Sequence, residues 1–94
     1  LGQVLMRSFF YTLREAEVVP GSIIFINSGV KLACEGSPVL SDLMALEKRG
    51  VRILSCGTCL DYFQLKEKLC VGSISNMYSI VEAMMTSDRL ITLG

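Results

Sequence analysis

Along the first sixteen positions, Leu1, Val4, Leu5, Ser8, Phe9, Thr12, Leu13 and Ala16 recur at the helical period. That spacing predicts an amphipathic helix whose stripe faces a core. Met6 flanks the stripe and Phe10 lies opposite it, so the helix is expected to be covered on more than one side. Pro20-Gly21 marks a turn. Ser22 to Ile26 carries an unbroken apolar run instead of an alternation, the pattern of a strand buried on both faces of a parallel sheet. Asn27-Ser28-Gly29 ends it, and Val30 to Cys34 reads as a loop or minor strand. Ser37-Pro38 opens a second helix, with a hydroxyl cap and proline at the first helical position. Val39, Leu40, Leu43, Met44 and Leu46 give that helix its apolar face, and Gly50 closes it. Val51 to Ser55 is the next strand and runs straight into Cys56-Gly57-Thr58-Cys59. A short helical segment from Leu60 to Leu69 follows and is broken at Gly72. Ser75 or Asn76 caps a last helix in which Met77, Tyr78, Ile80, Val81, Met84 and Met85 share one face. Leu90 to Leu93 is a closing strand.

This alternation predicts an α/β domain with a mostly parallel sheet flanked by helices. It spans residues 1–94 as one domain, with no linker, repeat or low-complexity segment. In such sheets chemistry gathers at the carboxyl ends of strands. Residues 27–37 and 56–59 are expected there. The chain opens inside a helical pattern with no cap, so a preceding element, belonging to a longer protein, is expected.

Composition narrows the function classes. Nine basic and nine acidic residues give no net charge, and 51% of the 94 residues are hydrophobic. A neutral chain lacks the basic surplus of a nucleic-acid binder and the polarity of a disordered one. So apolar a short chain predicts that some surface is covered, as in a homo-oligomer. Histidine is absent, which excludes Ser-His-Asp and Cys-His catalysis and every histidine metal site. The longest apolar run is far too short for a membrane span. With no signal peptide at residue 1, a cytoplasmic protein with reduced thiols is expected.

Reactive chemistry therefore rests on Cys34, Cys56, Cys59 and Cys70. Cys56-x-x-Cys59 at the start of a helical turn suits a nucleophilic thiol with a resolving partner, because amides at a helix N-terminus favour thiolate. Gly57 permits close approach and Thr58 adds a hydroxyl. An inert pair and a metal-binding pair are the alternatives. A thioredoxin-type reductase fits poorly, since Pro20 and Pro38 both precede the motif and no tryptophan flanks it. Zinc fits poorly too, because a structural four-cysteine site usually presents two CxxC-type knuckles and only one is present. Cys70 reads as a small buried hydrophobe, and Cys34 as structural or as part of a loop at the same sheet edge. Within that loop Cys34, Gly36 and Ser37 form a candidate anion cradle beside an ordinary helix cap. Met77, Met84 and Met85 read as core, and Lys66-Glu67-Lys68 as a solvated face. Asp61 and Tyr62 are placed to tune a thiol or simply to lie on the surface. Neither a metal-ligand set nor a cofactor is implied.

Five stretches taken in order carry a family resemblance: Leu1 to Phe9, Asn27 to Leu32, Glu35 to Leu40, Cys56 to Leu60 and Val71 to Tyr78. Together they resemble the DsrE-like domain of the YedF-type selenium-metabolism proteins, within the DsrE/TusD sulfur-relay group. The resemblance implies a small α/β fold whose first strand, ahead of Leu1, is missing here. It implies oligomers, and a cysteine that accepts a persulfide and passes it on. By position that cysteine falls on the Cys56–Cys59 motif. A TusA-like domain and a sulfur or selenium donor protein are the implied partners, and Cys56 is expected to take the persulfide or perselenide, with Cys59 resolving or releasing it. The activity implied is at most that of a sulfurtransferase-like carrier.

Overall fold

The computed structural model describes residues 2–94. Helix α1 (Gly2–Glu15) leads to strand β1 (Ser22–Phe25), a 3-10 segment (Asn27–Ala33) and helix α2 (Leu40–Lys48). Strand β2 (Arg52–Cys56) passes without a break into the short helix α3 (Gly57–Tyr62) and a 3-10 turn (Lys66–Lys68). Strand β3 (Ser73–Ser75), helix α4 (Met77–Thr86) and strand β4 (Leu90–Leu93) complete the chain. The four strands form one sheet in the order β3-β2-β1-β4, and every pairing is parallel. Among the described residues no helix is long and apolar enough to cross a membrane.

β1 is central, with β2 and β4 hydrogen-bonded on its two sides and all four of its residues buried, so its apolar run need not alternate. Its side chains still divide between two layers. Ile23 and Phe25 join Phe10 of α1 and Leu43 and Leu46 of α2 in the larger core. Ile24 joins Ile80 and Ala83 of α4 and Cys56 in the smaller one. α1 and α2 therefore cover one face and α4 covers the other, which is the helix–sheet–helix sandwich expected for a parallel sheet.

The two helices of the larger layer are tied at their ends. Arg14 of α1 pairs with the largely buried Asp42 of α2 at 2.9 Å. Arg49, just past α2, donates to the carbonyls of Arg14, Ala16 and Glu17. It thereby satisfies oxygens at and just past the end of α1 that the helix itself leaves unpaired.

Several elements depart from the sequence expectation. Phe10 is the fully buried residue of α1, with Met6 and Leu13 packed beside it, whereas Val4 is 64% exposed and Leu5 and Phe9 also face outward. The helix carries two apolar faces, and the sheet takes the one bearing Phe10. Leu1, assigned to the opposite stripe, lies outside the described residues. α4 repeats the lesson: Ile80 and Ala83 pack on the sheet, while Met77 and Tyr78 are 60% and 78% exposed and Met85 is equally open. The methionines expected in the core instead form an apolar outer face.

Residues 30–34 are neither loop nor strand but the end of the 3-10 segment, zipped to the chain after the second 3-10 turn by a Cys34–Leu69 bridge. α2 starts at Leu40, two residues later than Ser37-Pro38 suggested, and the Ser37 hydroxyl accepts from the Val39 amide ahead of it. The helix expected over 60–69 starts at Gly57 and ends at Tyr62. Strand β3 had not been expected at all. Asn76 does cap α4, its side-chain oxygen accepting from the Ser79 amide at 2.8 Å.

Candidate functional site

Cys56 is the last residue of β2 and the N-cap of α3, at the carboxyl edge of the sheet. The buried strand delivers its thiol with only 4% of the residue exposed. Beside it opens a cleft of about 370 Å³, walled by Gly57, Thr58, Asp61 and Lys66 on one side. Ile74, Ser75, Asn76 and Met77, from the β3–α4 junction, form the other wall. Gly57 has a packing reason to lack a side chain: a Cβ there would stand 3.2 Å from both Ile74 Cγ2 and the Ser75 carbonyl oxygen. Lys66 reaches over the same cleft and pairs with Asp61 at 3.1 Å.

Electrostatics separate the two thiols of the motif. Burial on its own raises Cys56, but the Cys59 thiol and the amides of Cys59 and Thr58 point toward its sulfur and bring it below the ordinary thiol value. None of these donors closes a full capping bond. They act as dipoles aimed at the charge. Cys59 moves the other way, raised by burial, by giving its proton toward Cys56, and by the charge on Cys56. The Asn27 amide partly offsets this, donating to Cys59 Sγ at 3.2 Å. That contact depends on Asn27 taking a left-handed conformation, φ 50°, at the end of β1, which asparagine tolerates better than most residues. Of the two thiols, Cys56 is the one held toward its thiolate form and Cys59 the one held toward its protonated form.

The rate of Cys56 alkylation by iodoacetamide is therefore expected to rise with pH through a midpoint below that of an unperturbed thiol. Below that midpoint the thiol is protonated and slow. In Cys59→Ala one donor is gone and the midpoint should move upward. A wild-type midpoint at or above the free-thiol value would contradict this assignment.

The second candidate loop lies elsewhere. Cys34, Gly36 and Ser37 border a separate cavity of about 730 Å³, together with Leu5, Met6, Phe63 and Leu65. Most of its amides are already used or missing: Glu35 N donates to the Lys68 carbonyl, Ser37 N to the Cys34 carbonyl and Val39 N to the Ser37 hydroxyl, and Pro38 has no N–H. The cradle expected of this loop therefore has no free donors at those positions, and it does not face the thiol pair. Cys34 is buried, its thiol donates to the Val30 carbonyl at 3.2 Å, and burial pushes it up. Cys70, expected inside, is exposed. Among the described residues no three Cys, Asp or Glu side chains gather as a metal site.

Four contributors escaped the sequence reading. Lys66 is a wall of the cleft as well as a solvated charge, because the chain after Tyr62 turns back over α3. Asn27 acts through its backbone amide, which only its position after a buried strand could have suggested. Ser75 and Asn76 arrive with the unexpected β3. Asp61 does line the cleft, whereas Tyr62 is exposed and stacks edge-on against Phe63.

A four-stranded, all-parallel sheet flanked by helices agrees with the comparison of the chain with known proteins. The family model described as DsrE/DsrF-like matches residues 10–93, nearly the whole chain. A search of curated proteins finds no match. On the breadth of the family match, the chain belongs to the DsrE/DsrF-like family.

Proposed function

We propose that the domain is a sulfur carrier, with selenium as the alternative cargo, loaded on Cys56. One observation carries this reading: a thiol held toward its thiolate form stands at the edge of an open cleft. The family is consistent with a sulfur-relay role. The reaction needs no metal and no net oxidation. The Cys56 thiolate attacks the outer sulfur of a donor persulfide R–S–SH. Cys56–S–SH forms, the donor S–S bond breaks, and the donor leaves as R–S⁻. The outer sulfur of the product then lies in the cleft, where Thr58 and Lys66 favour its negative charge.

The YedF-type subgroup, a TusA-like domain and a donor protein as partners, and a cytoplasmic setting that keeps thiols reduced belong to the same proposal. So does self-association. The outer face of α4, with Met77, Tyr78, Val81 and Met85, would pack on a second copy, since a chain with no net charge meets little repulsion from its own kind.

Cyanide removes sulfane sulfur as thiocyanate, which makes the test direct. Cys59→Ser, treated with glutathione persulfide and desalted, should release one thiocyanate per chain. The double variant Cys56→Ser, Cys59→Ser should release none. Equal release from both would end the carrier reading.

A further inference from the structure

We infer that Cys59 discharges the loaded thiol, attacking Cys56 Sγ to release the outer sulfur as hydrogen sulfide and leave a Cys56–Cys59 disulfide. This rests on the carrier reading and adds the form in which the cargo leaves.

The geometry decides which sulfur is attacked. Displacement at sulfur proceeds in line, so the nucleophile must stand opposite the leaving atom. The outer sulfur of a Cys56 persulfide extends into the cleft lined by Thr58, Lys66, Ser75 and Asn76. Cys59 is not part of that lining. Its sulfur lies outside that cleft, where it accepts from the Asn27 amide at 3.2 Å, and interacts with the Cys56 thiol from that side. Cys59 thus meets the inner sulfur, with the outer one pointing away.

A disulfide fits this spacing. Residues three apart across the first turn of a helix have Cα atoms roughly 5–6 Å apart, within the usual disulfide range. Holding both groups on one turn also makes the step intramolecular, which favours it over attack by a thiol in solution.

Loading itself prepares the attack. In the unloaded protein Cys59 keeps its proton because it is partly buried and faces the Cys56 charge. Persulfide formation moves that charge out to the terminal sulfur, and the Asn27 amide remains to support a Cys59 thiolate. The Cys59 proton passes to the charged outer sulfur, and the Cys59 lone pair forms the new S–S bond. The electron pair of the old bond leaves with the protonated outer sulfur as HS⁻, beside the Lys66 ammonium. Over the cycle two thiols lose two electrons and the sulfane sulfur gains two. A dithiol reductant must restore the pair, so a persulfide-forming reaction stands upstream and a dithiol–disulfide exchange downstream. With a perselenide the same step yields hydrogen selenide. The remaining thiols are badly placed to compete: Cys34 is buried and bonded to Val30, and Cys70 is not part of the cleft.

The test follows intact mass and free sulfide after brief exposure to glutathione persulfide and acid quenching at intervals. Wild type should gain one sulfur atom transiently, then become two hydrogens lighter than the starting protein and yield one sulfide per chain. Dithiothreitol should return it to its original mass. Cys59→Ser and Cys59→Ala should hold the extra sulfur at least tenfold longer, with no disulfide. A wild-type adduct as durable as that of both variants would overturn the inference while leaving the carrier reading intact. Failure of all three proteins to take up sulfur would instead overturn the carrier reading, and this inference with it.

Discussion

Cys56→Ser is expected to lose sulfur uptake by on the order of a thousandfold or more, with the fold unchanged. A serine hydroxyl does not ionise near neutral pH, so the dipoles of Thr58 and Cys59 that favour a thiolate have no charge to act on. The substitution is nearly isosteric, and serine can accept from the same amides at the head of α3. The cost to stability should therefore stay near 1 kcal/mol, the usual scale for a single substitution. Unchanged circular dichroism with no uptake separates a lost nucleophile from a lost fold. Residual uptake above about a tenth of wild type would shift the nucleophile to Cys59.

Gly72→Ala is expected to destabilise the domain by about 2–5 kcal/mol, combining left-handed backbone strain with overpacking. Gly72 has φ +76°, and a Cβ there would lie 2.5 Å from the Ile53 carbonyl oxygen and 2.8 Å from Ile53 Cγ2. The neighbouring chain is β2 itself, the strand that carries Cys56, and it cannot move aside without loosening its pairing with β1. For a domain of this size the midpoint of thermal unfolding should fall by roughly 10–30 °C. The change also displaces β3, and with it Ser75 and Asn76 in the cleft wall. Thermal melts give the answer, and a shift of only a few degrees would mean that β3 tolerates being pushed off the sheet.

The α/β alternation was legible because each inner strand centres on β-branched and apolar residues between turn signals, Ile23-Ile24-Phe25 in β1 and Ile53-Leu54 in β2. Ile23-Ile24-Phe25-Ile26 and the segment ending at Cys56 need no structure to be recognised. β3 was not legible for the opposite reason: it is three residues long, two of them serine, and edge strands carry little apolar signal. Periodicity identified α1 and α4 as helices but could not say which of two apolar faces meets the sheet. That choice belongs to tertiary packing, through Phe10 in one helix and Ile80 with Ala83 in the other.

At the site, the CxxC spacing and its place after a strand pointed to Cys56 and Cys59 directly. Their opposite electrostatic shifts depend on where the Asn27 amide and the two thiols come to rest, and spacing along the chain does not encode that. Cys34 and Cys70 show the same limit. Cys34, next to Glu35, is sealed in the core, whereas Cys70, between Leu69 and Val71, reaches solvent.

The central claim is that Cys56 accepts a sulfur atom, and intact mass spectrometry of Cys59→Ser after glutathione persulfide tests it most directly. Without its resolving partner the protein should stand one sulfur atom heavier, with the addition mapping to Cys56 and disappearing under dithiothreitol. An unchanged mass, or the same gain when Cys56 is also replaced by serine, would contradict the account.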